Sequence, residues 1–278
     1  MFALLALASS AMWGTTDFFA GLRSRSSPAA AVVAWSQGSA LLLLSIAVAL
    51  FGSPLGVFEH PGAWVGCAAA AGIAGLVGLL SFYTALASGT MGVVAPVASL
   101  GASVPVVLGL LAGERPGPLT FAGMAVAVLG AALTSGPELS GGLPLRPLLL
   151  ALVAAVGFGL ALYFLSRGAH ASLLGTLWGM RLTSGGVFVV AGLALRTRGG
   201  VRPRDLPALA AIGAGDLGAN LLYGLAATRG LLSVASVLGS LYPAATVLWA
   251  RLLLGERLRR VQLCGVGLTI AGVAAMTL

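Results

Sequence analysis

Long apolar segments separated by short polar breaks run through the whole chain. The breaks carry turn-forming residues, as at Ser26-Ser27-Pro28, Gly52-Ser53-Pro54 and Gly136-Pro137. A helix needs about 20 apolar residues to cross a bilayer core of about 30 Å, and ten segments are close to that length. They are 2–21, 29–51, 63–87, 91–113, 118–135, 146–166, 173–195, 206–228, 231–254 and 261–278. This pattern predicts an all-α integral membrane protein with ten transmembrane helices.

Composition supports a membrane protein and excludes two other classes. Of the 278 residues, 59% are hydrophobic and 8% are charged, whereas about 25% of residues are charged in an ordinary soluble domain. So little charge cannot cover the surface of a soluble enzyme of this size. An intrinsically disordered chain is also excluded, because disorder needs low hydrophobicity and high net charge. Alternation at every second residue, which a transmembrane β-barrel requires, is absent from the sequence.

All 15 basic residues are arginines, and most of them lie in the breaks between apolar segments. Ten fall in odd-numbered loops and three in even-numbered loops. The odd-loop positions are Arg23, Arg25, Arg146, Arg196, Arg198, Arg202, Arg204, Arg257, Arg259 and Arg260, and the even-loop positions are Arg115, Arg167 and Arg229. Basic loops stay in the cytoplasm, so both termini are expected on the non-cytoplasmic side. The same placement argues against nucleic acid as a partner.

The first segment is expected to be a true span rather than a cleaved signal peptide. Residues 1–11 carry no positive side chain, whereas Arg23 and Arg25 follow the apolar run. A signal peptide has the opposite order.

A motif repeats between the two halves of the chain. The tripeptide Gly-Glu-Arg occurs twice at an offset of 142 residues, and two glycines follow each copy at identical spacing. The positions are Gly113-Glu114-Arg115, Gly123 and Gly130, then Gly255-Glu256-Arg257, Gly265 and Gly272. Tyr83 and Tyr223 correspond at an offset of 140. Residues 1–140 and 141–278 are therefore predicted to be two repeats.

Each predicted repeat holds five spans, so the second repeat must be inverted relative to the first. Inverted repeats are typical of secondary transporters, in which the substrate site lies near the midplane between the halves. Glu114 and Glu256, at span ends beside arginines, are expected to be structural anchors.

On these features the chain resembles the EamA family of the drug/metabolite transporter superfamily. The marks are Trp13-Gly14 in the first span, the Gly-Glu-Arg ends of the fourth and ninth spans, and the glycines of each final span. Leu241-Tyr242-Pro243 fits the family's proline in the ninth span, whereas the first half has Gly101 there instead. The resemblance implies ten helices around a central cavity, transport of small metabolites and usually export.

Ionisable and polar residues within spans are the candidate site, since each is costly in a bilayer. Arg181 is a candidate for binding a substrate carboxylate or phosphate, and Asp216 for holding a proton or a substrate amine. The alternative is a buried structural Arg–Asp pair. Asn220 and Tyr223 follow Asp216 at i+4 and i+7, on one face of the eighth span, which indicates either a cavity lining or hydrogen bonds between helices.

Further candidates come from the first repeat and from aromatic positions. Tyr83 is the counterpart of Tyr223, and Gln37 holds roughly the place in span two that Arg181 holds in span seven. Asp17 is either a second coupling carboxylate or the partner of Arg23 and Arg25 in an interfacial salt bridge. Trp13 and Tyr242 are expected either to close the site over a substrate or to pack in the core.

No motif of an enzyme, a nucleotide site or a metal site occurs in the sequence, so no catalytic residue, cofactor or metal is predicted. The sequence favours a secondary active transporter of the bacterial inner membrane that exports a small metabolite, such as an amino acid or a related polar or amphipathic solute. Protons are the candidate coupling ion, and the bilayer and the solute are the expected partners. Two alternatives remain open, an uncoupled facilitator or channel and a membrane-embedded enzyme acting on a lipid-linked substrate.

Overall fold

The computed structural model describes residues 1–51, 57–88, 91–135, 145–194, 199–254 and 260–277. All regular secondary structure in these ranges is helical. The α-helices are α1 (Phe2–Ser24), α2 (Ala29–Phe51), α3 (Val65–Ser88), α4 (Met91–Ser99), α5 (Ser103–Leu111), α6 (Pro118–Ser135), α7 (Leu145–Ala194), α8 (Leu206–Ala227), α9 (Leu232–Gly239), α10 (Tyr242–Leu254) and α11 (Arg260–Thr277).

In the described residues each predicted apolar segment is mostly helical, and three departures in continuity occur. The sixth and seventh segments form one element, α7, which is interrupted at Ser172 by an extended backbone (φ −158°, ψ 105°). The fourth segment is divided into α4 and α5 by the 3-10 turn Leu100–Ala102. The ninth is divided into α9 and α10 at Ser240 and Leu241. The expected boundary between repeats at 140 and 141 lies outside the described residues.

Proline accounts for the two breaks that hydropathy does not show. A proline has no N–H to donate to the carbonyl four residues earlier. Pro105 therefore leaves the carbonyl of Gly101 without its helical donor, and Pro243 does the same for Gly239. In each case the helix is interrupted next to the freed carbonyl.

Among the residues that the structure describes, four helical stretches are long and apolar enough to cross a membrane, namely Ala29–Phe51, Val65–Ala87, Leu145–Val190 and Pro203–Ala227. Shorter apolar stretches are Val97–Leu111, Pro118–Leu133, Leu232–Thr246 and Cys264–Met276. Large apolar side chains lie exposed on the outside of the bundle, as at Leu42 (63%) and Leu111 (78%). An exterior of this kind suits lipid rather than water.

The buried apolar side chains form two clusters, and polar residues lie between them on three helices. On α1 the clusters contain Ala6 and Ala20, with Trp13 and Asp17 between these two positions. On α2 they contain Val33 and Leu44. Gln37 lies between these two. On α8, Asp216 and Asn220 likewise fall between Ile212 of one cluster and Tyr223 of the other. The fold thus places a polar layer between two dry cores.

The glycines of the repeated motif lie where α6 crosses α11. A Cβ added at Gly123 would meet the carbonyl of Gly272 and the side chain of Ala275. A Cβ added at Gly130 would meet Thr269 and the carbonyl of Gly265. Glycine permits this close approach of two backbones.

Glu114, which follows α5, caps the start of α9. Its carboxylate accepts hydrogen bonds from the backbone N–H groups of Leu232 (2.6 Å) and Ser233 (3.0 Å). A negative charge at a helix N-terminus is favourable because the N–H groups there lack helical acceptors. The expected structural role of Glu114 agrees with this contact, and its counterpart Glu256 lies outside the described residues.

Candidate functional site

A cavity lies at the level of the polar layer, and both halves of the chain line it. It is bounded by α1, α2, α3, both parts of α7, α8 and the two helix breaks. The cavity has a volume of about 80 Å³, which is enough for several waters. The lining residues that bear polar groups are Trp13, Asp17, Gln37, Ser99, Arg181, Ser184, Asp216, Asn220, Ser240 and Tyr242. Most of the remaining wall is apolar and includes Leu76, Leu79, Phe158, Leu162 and Met180.

Asp216 is the centre of a hydrogen-bond network that joins four helices. Its Oδ1 accepts from Trp13 Nε1 at 3.2 Å and from Asn220 Nδ2 at 3.1 Å. Its Oδ2 accepts from Gln37 Nε2 at 3.2 Å and forms an ion pair with Arg181 Nη2 at 2.8 Å. The carboxylate is therefore surrounded by donors on both oxygens, which stabilises its charged form.

Arg181 is almost completely buried, with 1% of its surface exposed. Its Nη1 donates to Gln37 Oε1, so the Gln37 amide bridges the arginine and the aspartate. The hydrogens on Nε and Nη2 are not aligned with any acceptor in the described part of the chain, although Nη2 lies within ion-pair distance of Asp216. A carboxylate, phosphate or carbonyl oxygen could complete these hydrogen bonds, but both nitrogens are buried, so a solute reaches them only when neighbouring side chains move.

Asp17 lies on α1 one helical turn beyond Trp13, and it has a simpler environment than Asp216. Tyr83 Oη donates to its Oδ1 at 3.2 Å. The alternative salt bridge to Arg23 does not form, because Arg23 Nη2 lies 2.6 Å from Asp205 Oδ2. Arg25 is exposed at the end of α1.

The aromatic residues take different places around the cavity. Trp13 and Tyr242 line it, and Tyr242 Oη donates to the carbonyl of Ala95 at 3.3 Å. Tyr223 is fully buried behind Trp13, with ring centroids 5.8 Å apart, and its hydroxyl is 2.8 Å from Ser236 Oγ. Tyr83 likewise lies behind the cavity wall, against Asp17.

The structure brings all of the sequence-predicted site residues into one region. Seven of them line the cavity itself: Trp13, Asp17, Gln37, Arg181, Asp216, Asn220 and Tyr242. Tyr83 and Tyr223 contact that layer from behind. Sequence reasoning missed Met180 and Ser184, although Ser184 follows Arg181 at i+3 and shares its helix face. It also missed the apolar wall from α3, for which hydropathy gives no signal within a uniformly apolar helix.

In the part of the chain that the structure describes, no three His, Cys, Asp or Glu side chains are grouped as a metal site would require. Cys67 is half-buried and Cys264 is exposed on the bundle, and neither forms a disulfide.

Comparison with known proteins identifies the family and the fold. The model of the EamA-like transporter family matches residues 1–136 and 145–278. No curated relative matches the chain. Twenty-one chains of solved structures match. One of them, described only as a crystal structure of a protein, has a TM-score of 0.78 and 20% identity over 99% of this chain and 96% of that chain. At this identity the likeness shows a shared fold.

Proposed function

The chain belongs to the EamA-like transporter family, and on this premise we propose that it is a secondary active transporter that exports a small metabolite by alternating access. The observation that carries the proposal is the polar cavity between two dry cores, lined by both halves of the chain. A bilayer-spanning bundle that buries an arginine and two aspartates around a cavity has a solute or ion to bind there.

Ten spans arranged as two inverted repeats account for the helix pattern. Each predicted apolar segment corresponds to helix, with the fourth and ninth segments broken at the cavity. The contacts of the repeated glycines support the inversion: Gly123 against Gly272 becomes Gly265 against Gly130 when the two repeats are exchanged. The contacts at the two helix breaks also correspond when the repeats are exchanged. Gly14 on α1 contacts Tyr242 at the break between α9 and α10, and Gly159 on α7 contacts Gly101 at the break between α4 and α5.

Interrupted helices at the centre of a bundle are typical of transporter binding sites, because their free backbone groups can contact solute. Here the breaks between α4 and α5 and between α9 and α10 lie at the cavity, where Gly101 and Gly239 are part of the lining. The carbonyl of Gly101 itself faces Gly159 of α7.

The chemistry of the wall favours an amino acid or a related amphipathic solute. The guanidinium of Arg181 suits a carboxylate, and the two aspartates suit an amine. The apolar side chains of α3 and α7 suit a hydrocarbon or aromatic group. Coupling to protons would use a carboxyl group in the same cavity, Asp216 or Asp17.

Transport assays in proteoliposomes test this function. Labelled amino acids, nucleosides, sugars and a cationic dye are offered with and without a pH gradient. We expect saturable flux of one class, increased by the gradient and lost in Arg181→Ala or Asp216→Asn. Arg25→Ala, at an exposed position on the same bundle, is the matched control and retains flux. Flux that does not saturate and does not respond to unlabelled solute on the far side would instead identify a facilitator.

We propose a location in the bacterial inner membrane with both termini on the non-cytoplasmic side. The ion pair between Arg23 and Asp205 supports part of this topology. It places the C-terminal end of α1 and the N-terminal end of α8 on the same side of the bundle. Arg196, Arg198, Arg257 and Arg259 lie outside the described residues. In a variant whose native cysteines are replaced by alanine, an impermeant maleimide should label His60→Cys in intact cells and Ser26→Cys only after permeabilisation. The reverse pattern would invert the topology.

A further inference from the structure

Two aspartates line the same cavity, and their surroundings differ in one chemical respect. Asp17 and Asp216 are both 8% exposed, so depth alone does not distinguish them. The partners of Asp216 can only donate hydrogen bonds, whereas the partner of Asp17 can donate or accept one.

The protein groups around Asp216 are all hydrogen-bond donors. The atoms facing its oxygens are Trp13 Nε1, Asn220 Nδ2, Gln37 Nε2 and Arg181 Nη2, and none of these nitrogens can accept a hydrogen bond. These donors complement a carboxylate, and the guanidinium of Arg181 is its counter-ion.

Asp17 has the opposite arrangement. Its partner is the hydroxyl of Tyr83, which donates to a carboxylate and, after rotation of the O–H bond, accepts from a carboxylic acid. In the described ranges no Arg or His nitrogen lies within 4 Å of Asp17, since the neighbouring Arg23 is paired with Asp205. The same tyrosine thus serves both protonation states.

The charges around Asp17 do not balance when it is ionised. The titratable groups on neighbouring helices that interact electrostatically with Asp17 are Tyr83 on α3, Asp216 on α8 and Tyr242 on α10. Arg181 on α7 is paired with Asp216. One guanidinium therefore faces two carboxylates, and an ionised Asp17 leaves one excess negative charge in a largely apolar cavity. A proton on Asp17 removes that excess.

We propose that Asp17 is the group that carries the coupling proton, that Tyr83 positions it, and that Asp216 stays charged as the fixed partner of Arg181. This rests on the transport function proposed above. The step is proton binding alone: an O–H bond forms on the carboxylate, no electrons are transferred, and the proton is released when Asp17 faces the other side of the membrane.

Infrared difference spectroscopy of the purified protein in proteoliposomes, between acidic and alkaline pH, tests the assignment without any solute. The C=O band of a protonated carboxyl group should appear in the wild type, disappear in Asp17→Asn and remain in Asp216→Asn. Tyr83→Phe should shift the frequency of the band and its pH midpoint. Tyr163→Phe is the matched control, because Tyr163 packs on Phe164 and lies outside the cavity, and it should leave the band unchanged.

A band that disappears in Asp216→Asn and remains in Asp17→Asn would overturn the assignment, as would a band unaffected by both. If Asp17→Asn does not fold, an unshifted band in Tyr83→Phe refutes the role of the tyrosine and with it the proposal. Transport is measured on the same vesicles. Absence of solute flux together with the expected band would refute the proposed transport function while leaving Asp17 as a proton-binding residue.

Discussion

Replacing either Arg181 or Asp216 breaks their buried ion pair. The contacts that remain around the other residue determine how far the free energy of unfolding falls. In Arg181→Met the Asp216 carboxylate loses its only cation in the described network but retains the hydrogen bonds from Trp13, Asn220 and Gln37. Removing one partner of a buried pair costs about 3–5 kcal/mol. The three remaining donors place the expected loss at the low end, about 3 kcal/mol, which is roughly a hundredfold increase in the unfolding equilibrium constant.

The double variant Arg181→Met/Asp216→Asn distinguishes charge from packing. With both charges removed, no ion is left uncompensated, so the double variant should be more stable than Arg181→Met alone. Reversible unfolding in mixed micelles, followed by tryptophan fluorescence, gives the four free energies of the cycle, and we expect a coupling energy of about 2 kcal/mol. Transport should be absent from all three variants. A coupling energy near zero would show that the two side chains do not act as a pair and would refute the network described here.

Two contacts outside the cavity give further predictions for the stability of the fold. Gly272→Ala should lower stability by about 1–3 kcal/mol because the added Cβ meets the backbone of α6, whereas Gly267→Ala, with open space around it, should not. Thermal unfolding in detergent compares the two, and equal melting temperatures would show that the crossing of α6 and α11 is not close-packed. Glu114→Gln should cost about 1 kcal/mol through loss of the charged cap on α9. Glu59→Gln, at an exposed position, is its control, and a similar loss in both would contradict the capping role.

Hydropathy predicts the helices well because membrane insertion depends directly on it. The segments 29–51 and 118–135 coincide with α2 and α6 at both ends. The breaks within the fourth and ninth segments could not be read from hydropathy, since Gly101 and Ser240 are surrounded by apolar residues. Pro105 and Pro243 were visible in the sequence, but a proline within a span can bend a helix or interrupt it, and tertiary contacts decide which.

Polar residues within apolar spans predicted where the cavity lies, because burying such groups requires partners. Partner choice was less predictable. Asp17 could pair with Arg23 by proximity in sequence, and Asp205, which is close only in the folded bundle, pairs with Arg23 instead. Tyr223 continues the stripe of Asp216 and Asn220, yet its ring packs behind Trp13 because a side chain two turns along the helix has left the level of the cavity.

In the alternating-access mechanism proposed above, the crossing of α6 and α11 between two inverted repeats has a consequence for energetics. Exchange of the two repeats converts the contact between Gly123 and Gly272 into the contact between Gly265 and Gly130. Both contacts belong to the same crossing of α6 and α11, so the exchange leaves this crossing unchanged. Its free energy is then the same with the cavity open to either side of the membrane. A substitution at one of these glycines removes the equivalence, whereas the same substitution at both corresponding positions, such as Gly130 and Gly272, retains it and leaves the populations of the two orientations unchanged. The pair of Arg181 and Asp216 has no charged counterpart in the first repeat, where Gln37 holds roughly the place of Arg181, so we expect substitutions at this pair to shift those populations.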